Sequence, residues 1–337
     1  MKPLVAITVG DYNGIGPEVS LKALASPRVR NLCRPVLVGP AEVFERVASR
    51  LSLRIRFRPY RAPEKGTRGA VPVLEPDGKI PIRVSPGALS AHAGAAAGAA
   101  IRASVGLVLG GEADALVTSP VSKHALHLAG IHAPGQTELL QRFTHAPHVA
   151  MMLVSGPLRV GLVTIHTPLR RVPRELTAAL LRERITVIHS ALRTDWSVRS
   201  PHMAILALNP HAGEGGDCGD EEQRVIIPVI ASLRARGMRL EGPFPADAFF
   251  ARYGPAAFDA VVAMYHDQGL IPLKMFARGK AVNVSVGLPI VRTSPDHGTA
   301  FDIAGRSVAD PSSMIEAIRT AVTIASRRRA AARKGAP

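Results

Sequence analysis

The chain has 337 residues, 47% apolar and 20% charged, with a formal net charge of +16. That length and apolar content place it among globular proteins of one large or two modest domains and exclude a disordered chain. Its two cysteines, Cys33 and Cys218, form neither a disulfide framework nor a metal-ligand spacing, so a cytoplasmic protein is expected.

Taken in chain order, six apolar runs end in polar, Gly or Pro residues: "LVAITVGD", "RPVLVGP", "DALVTSP", "RVGLVTIH", "HMAILALNPH" and "DAVVAMYHD". Their length and Val/Ile/Leu content predict buried strands of a mostly parallel sheet. Helical patterns fall between them, at 17–24, 122–128, 173–190, 221–236 and 311–329. This alternation predicts an α/β protein with helices on both faces of the sheet. Residues 87–111 are rich in Ala and Gly and read as a helix packed closely against a neighbour, and 55–90 as short strands or loop. The discontinuities suggest two interleaved lobes across residues 1–337, sharing a central cleft, with no boundary assigned. Residues 4–9 are too short an apolar run for a signal peptide, and no stretch reaches a membrane-spanning length.

The basic surplus raises nucleic-acid binding as a function. The charge is scattered, however, through "SPRVRNLCR", "RIRFRPYRAPEK" and "LRERI", and four Tyr and one Trp offer little for base stacking. An anionic small molecule is the simpler partner. The basic tail 326–337 reads as a solvated helix end that frays. No Gly-x-Gly-x-x-Gly follows the first strand, where "GDYNGIGPEV" does not fit the dinucleotide fingerprint, and there is no Walker A motif.

Three histidines stand in one relative position. His166 ends "VGLVTIH", His211 ends "AILALNPH" and His266 ends "VVAMYH". Ligands of open α/β sheets bind beyond the carboxyl ends of strands. Three imidazoles on one rim are a candidate set for zinc, cobalt or a similar cation rather than magnesium or calcium. With 12 histidines in the chain, coincidence is the competing reading. The loop "NPHAGEGGDCGDEE" lets backbone approach a ligand closely. "SPVSKHAL" and "APGQTELL" place polar side chains near helix starts, which favour anions. Lys274, Asn283 and Arg292 follow His266 at short intervals and suit a phosphate or carboxylate. Gly269 and Pro272 predict a return loop between His266 and Lys274.

These motifs, in this order, carry a resemblance that runs almost end to end. "GDYNGIGPEV", "VTSPVSK", "GQTE", "NPHAGEGGDCGDEE", "GPFPADAFF", "AMYHDQGLIPLK" and "VNVSVGLPIVRTSPDHGTAFDIAG" resemble the 4-hydroxythreonine-4-phosphate dehydrogenases of pyridoxal phosphate biosynthesis. The last motif also resembles a loop of the isocitrate and isopropylmalate dehydrogenases. The resemblance implies their two-lobed, non-Rossmann fold and a homodimer with active sites at the subunit interface. It implies that His166, His211 and His266 bind a divalent metal shared across the dimer: zinc foremost, with cobalt or magnesium as alternatives. It assigns Gln136, Thr137, Lys274, Asn283 and Arg292 to the substrate, and His297, Gly298, Thr299 and Asp302 to NAD or NADP. The family commonly has Gly-His-Thr-Glu where this chain has Gly135, Gln136, Thr137 and Glu138. Glutamine still donates to an anionic oxygen but cannot become cationic.

The implied chemistry is oxidation of 4-phosphooxy-L-threonine at the carbon β to its carboxylate. The resulting 3-oxo acid loses CO2 to give 3-amino-2-oxopropyl phosphate. Asp247 and Asp267 are candidates for the proton acceptor, or for groups that orient a ligating histidine. The alternatives are a same-fold dehydrogenase of 4-phospho-D-threonate or erythronate, one acting on a dihydrodiol carboxylate, a metal-dependent hydrolase, and a basic nucleic-acid-binding protein.

Overall fold

The computed structural model describes residues 2–62, 69–78, 80–133 and 135–333. Twelve strands are seen among them: β1 (Leu4–Thr8), β2 (Arg34–Val38), β3 (Phe57–Pro59), β4 (Val71–Leu74), β5 (Ala115–Val117), β6 (Ala150–Ser155), β7 (Leu158–Leu162), β8 (His202–Leu206), β9 (Arg239–Phe244), β10 (Ala260–Ala263), β11 (Val282–Val286) and β12 (Arg292–Pro295). The α-helices among them are α1 (Gly16–Ala25), α2 (Pro27–Leu32), α3 (Ala41–Arg50), α4 (Ala91–Leu109), α5 (Lys123–Leu128), α6 (Gln136–Thr144), α7 (Val172–Glu175), α8 (Ala178–Asp195), α9 (Ile227–Arg234), α10 (Ala246–Arg252), α11 (His266–Ala277) and α12 (Ser312–Arg333). The chain divides into two compact units. One gathers the residues up to Pro147 with Leu288–Arg329; the other is His148–Gly287 with the chain end from Ala330.

In the first unit the strands run in the order β3-β4-β2-β1-β5-β12, and all neighbours are parallel. Strand β1 lies inside this sheet and all five of its residues are buried, as an uninterrupted apolar run requires. Helix α4 covers it with a stripe of small residues. A methyl group on Gly94 would collide with the backbone of Ala125 on α5, so the Ala/Gly composition sets the close approach of these two helices. By length and composition alone α4 is apolar enough to cross a bilayer; here Ala93, Ala97, Ala100 and Ile101 are fully buried in the protein.

In the second unit the order is β11-β6-β7-β10-β8-β9. Here β6 is antiparallel to both β11 and β7, while β7, β10, β8 and β9 run parallel. Leu153, Val160, Leu162, Ala204, Leu206, Val261 and Ala263 form its core with Leu270, Leu273 and Ala277 of α11.

The mostly parallel α/β architecture is the one the alternating pattern implies. Three local expectations are corrected. The region 173–190 is two helices, α7 and α8, because Thr177 accepts a hydrogen bond from Leu180 N (3.2 Å) and starts a new helix. The region 221–236 begins as a wide π turn, Glu222–Ile226, before α9. The return loop expected between His266 and Lys274 is the helix α11, with Pro272 inside it. Leu270, Leu273 and Ala277 recur at helical spacing, and burying them outweighs the one backbone bond that Pro272 forfeits. Within 55–90 the short strands β3 and β4 occur; residues 63–68 and 79 of that stretch lie outside the described residues, as do Pro134 of "APGQTELL" and the tail 334–337. The basic run from Arg327 to Arg333 closes α12.

Candidate active site

In the second unit, parallel pairing sets two histidines side by side. Val261 to Ala263 of β10 pair with Val160 to Leu162 of β7. The pairing persists past the strand ends, where Val163 N donates to Ala263 O (2.9 Å) and Thr164 N to Met264 O (3.1 Å). Thr164 Oγ1 adds a second bond to Met264 O (2.7 Å). Two residues beyond this knot stand His166 and His266, with ring centroids 6.0 Å apart and planes inclined by 38°. An imidazole bound at about 2.1 Å sets its ring centre about 3.2 Å from the ion, so two rings on one tetrahedral ion lie roughly 5.2 Å apart. The observed 6.0 Å is wider than that, so the two rings are neighbours that would have to draw together to share a tetrahedral ion.

His266 is the first residue of α11, and its Nδ1 lies 2.7 Å from Asp267 Oδ1. A carboxylate there makes Nδ1 the protonated nitrogen and leaves the Nε2 lone pair as the donor to a metal. Asp267 is thus within hydrogen-bond reach of the His266 ring. Asp247 lies exposed in the first turn of α10.

His211 follows β8, the other neighbour of β10. It opens a run of five left-handed residues, His211 to Gly215, with φ values of 52, 55, 81, 44 and 72°. His211, Ala212 and Glu214 are not glycine, and each such residue costs about 1–2 kcal/mol. The buried Glu222 holds the base of this loop. Its Oε1 accepts from Leu208 N (2.7 Å) and Asn209 N (2.9 Å), and its Oε2 from Asn209 Nδ2 (2.9 Å). Among the described residues, no three His, Cys, Asp or Glu side chains converge as a metal-holding group. One chain thus brings two imidazoles side by side, with His211 on the adjacent loop.

Lys274 lies exposed on α11, eight residues from His266 and so about 12 Å along the helix. Asn283 is on β11, where its Oδ1 is buried and makes no hydrogen bond to the described residues.

In the first unit, Arg292 is the first residue of β12 and only 2% exposed. Its Nε and Nη2 donate to Thr118 Oγ1 (3.1 and 2.6 Å), and Nη2 also to Gln136 Oε1 (3.0 Å). Burial lowers the guanidinium to about 10, against an opposing pull from Glu138, so it stays cationic at neutral pH. Gln136 and the buried Thr137 open α6, and Gln136 Nε2 donates to Ser119 O (3.4 Å). The amide of Gln136 is thereby fixed at both ends.

The loop 297–302 packs on the turn after β1. Ile15 N donates to Thr299 O (3.0 Å), and a methyl group on Gly14 would sit 2.7 Å from that oxygen. His297 Nδ1 lies 3.1 Å from Gly298 O; Gly298 and Asp302 are exposed. Lys22 and Glu18 tie the next segment down: Lys22 Nζ donates to Ser307 O and Ala309 O (2.9 and 2.8 Å), and Glu18 Oε1 accepts from Ala309 N (2.9 Å). Beside this turn, burial raises the Asp11 carboxyl to about 6. Sequence reading missed Thr164, Glu222 and Gln268, whose signal was only their place in motifs already noted.

Comparison with known proteins adds a lineage to this geometry. The D-threonate 4-phosphate dehydrogenase of Cupriavidus necator is 43% identical over 329 residues, spanning 97% of this chain and 98% of that one. The 4-hydroxythreonine-4-phosphate dehydrogenase of Geobacter metallireducens is 44% identical over 326 residues, 96% of each chain. The crystal structure of the 4-hydroxythreonine-4-phosphate dehydrogenase from Klebsiella pneumoniae matches with a TM-score of 0.86 at 38% identity, over 96% of this chain and 100% of that one. The sequence model of the family described as "Pyridoxal phosphate biosynthetic protein PdxA" matches residues 31–321. With that match and these identities over nearly its whole length, the chain belongs to the PdxA family.

Proposed function

We propose that the protein is an NAD(P)-linked, divalent-metal-dependent dehydrogenase of a 4-phosphorylated 3-hydroxy acid, 4-phosphooxy-L-threonine first. The observation that carries the substrate class is the buried Arg292 cation, aimed by Thr118 and Gln136. A buried guanidinium with fixed donors matches a phosphate or carboxylate. Thr137 and the start of α6 add donors beside it. Lys274 and Asn283 are assigned to the substrate by the family resemblance.

The pair His166 and His266, with His211, would hold the cation, which as a Lewis acid eases loss of the substrate's hydroxyl proton. His297, Gly298, Thr299 and Asp302 in the loop 297–302 would hold a nicotinamide dinucleotide, which would supply the hydride acceptor for oxidation at the carbon bearing that hydroxyl. Asp267 keeps His266 in the tautomer that binds metal. Asp247 is the remaining candidate to take the hydroxyl proton. The oxidised product is a 3-oxo acid, which releases CO2. A second copy of the chain completes the site in this reading. Ile271, Met275 and Phe276 support it, since they leave apolar side chains exposed on α11, the helix that His266 opens (58, 75 and 45% exposed).

A second reading, D-threonate 4-phosphate as substrate, is favoured by the Cupriavidus relative. The two acids differ at the carbon next to the carboxylate, an amine in one and a hydroxyl in the other. The test is nicotinamide reduction with each acid, with NAD+ and NADP+, before and after chelation and metal return. Failure of every phosphorylated 3-hydroxy acid would overturn the proposal.

A further inference from the structure

We propose that Gln268 is a positioning residue that fixes the spacing between the chain segments bearing His266 and His211. This rests on the reading of His166, His211 and His266 as cation ligands. The register of β10 on β8 pairs Ala260 with Met203, Val261 with Ala204 and Val262 with Ile205. Continued by two residues, it brings Met264 opposite Ala207. The Gln268 side chain occupies that rung. Its Oε1 accepts from Met264 N (2.7 Å), and its Nε2 donates to Ala207 O (2.6 Å).

A primary amide carries one acceptor and one donor group, the same complement as a peptide unit. Gln268 thus replaces the last rung of the ladder with one an amide wider. The strands separate at the point where they release their loops. The row continues on both sides: Ala207 N donates to Phe244 O of β9 (2.8 Å), and Met264 O accepts from Thr164 beyond β7. One line of hydrogen bonds therefore runs from the last residue of β9 across the segments after β8, β10 and β7. His266 stands two residues past Met264, and His211 four past Ala207.

Neither neighbour in chemistry fits this place. Glutamate keeps the bond from Met264 but sets a second acceptor against the Ala207 carbonyl. Leucine has similar bulk and makes neither bond. Partners hydrogen-bonded to a metal ligand itself typically govern metal affinity by about 10–100-fold; Gln268 acts one step further out, through the backbone that carries the two histidines.

The test is titration of the metal-free, full-length protein with Co2+ alone, followed by its visible absorption bands, for wild type, Gln268→Leu and Gln268→Glu. Melting curves of the metal-free proteins report folding separately. The expected result is Co2+ affinity at least tenfold weaker in the leucine variant, with altered band position and intensity, and a smaller loss in the glutamate variant. If the leucine variant does not fold, the glutamate variant decides alone. Folded variants with wild-type affinity and spectrum would overturn the role of Gln268 while leaving the metal site standing. A wild type that binds no Co2+ would overturn the metal reading and this proposal with it.

Discussion

Arg292→Lys tests whether the buried cation reads the substrate's phosphate. Alanine is the poorer choice, because it strips a partner from Thr118, a hydroxyl fully buried at 0% exposure, at a cost of about 1–3 kcal/mol to folding. Lysine keeps a charge but loses the planar fork that reaches Thr118 and Gln136 together. One charge-assisted bond is worth about 1.5–3 kcal/mol, and about 1.4 kcal/mol is a decade in rate. The catalytic efficiency with a phosphorylated substrate should therefore fall by about ten- to a hundredfold. A pH signature should accompany the loss. Burial lowers the guanidinium to about 10. The same burial would lower an ammonium too, and from a lower starting point. The lysine should therefore lose its charge, and efficiency should drop, at a lower pH than in wild type as pH is raised from neutral to alkaline. The assay is nicotinamide reduction over this range with phosphorylated and unphosphorylated 4-hydroxythreonine. An equal proportional loss with both substrates would refute the reasoning, because an unphosphorylated substrate lacks the group that Arg292 is said to bind.

Other outcomes follow from the same geometry. Gly14→Ala should raise the Michaelis constant for the dinucleotide much more than that for substrate, since its methyl would lie 2.7 Å from Thr299 O and displace that loop. Gly298→Val should leave the melting temperature nearly unchanged, since nothing lies within 4 Å of the added carbon, yet impair dinucleotide binding, as steady-state kinetics would show. Burial raises the Asp11 carboxyl from 3.8 to about 6. The folded protein thus holds this proton more tightly than the unfolded chain, and the associated stability is complete below 3.8 and lost as pH rises through about 6, a span worth roughly 3 kcal/mol. Asp11→Asn should therefore gain up to about 3 kcal/mol relative to wild type at pH 8 and nothing at about pH 3, measured by urea unfolding at both. Gly269→Ala should destabilise by about 1–3 kcal/mol in urea unfolding, because its methyl would meet Val160 Cγ1 at 2.6 Å and Ala263 Cβ at 2.9 Å; a neutral effect would mean that α11 does not pack on β7 and β10 as described.

The sequence by itself determined the α/β class, because runs such as "LVAI" and "AVVA" are apolar at every position, and only strands covered on both faces tolerate that. It also marked the loops that follow β7, β8 and β10, because an abrupt change from Val and Leu to His and Asp is a local signal. It did not reveal β6, β11 and β12, although Gly156-Pro157 and Gly287 mark turns beside them, because these segments become strands through pairing with distant partners. Nor did it reveal that His266 and Lys274 share a helix. Gly269 and Pro272 are breakers by local propensity, and only the burial of Leu270, Leu273 and Ala277 against the sheet overrides them. The closeness of His166 and His266, 100 residues apart in sequence, follows from the register of β10 on β7. The same holds for Arg292, which meets Thr118 and Gln136 directly, the three coming from separate segments. Register and burial are properties of paired strands, which composition and spacing along one strand do not encode; tertiary structure decided which of the marked residues meet.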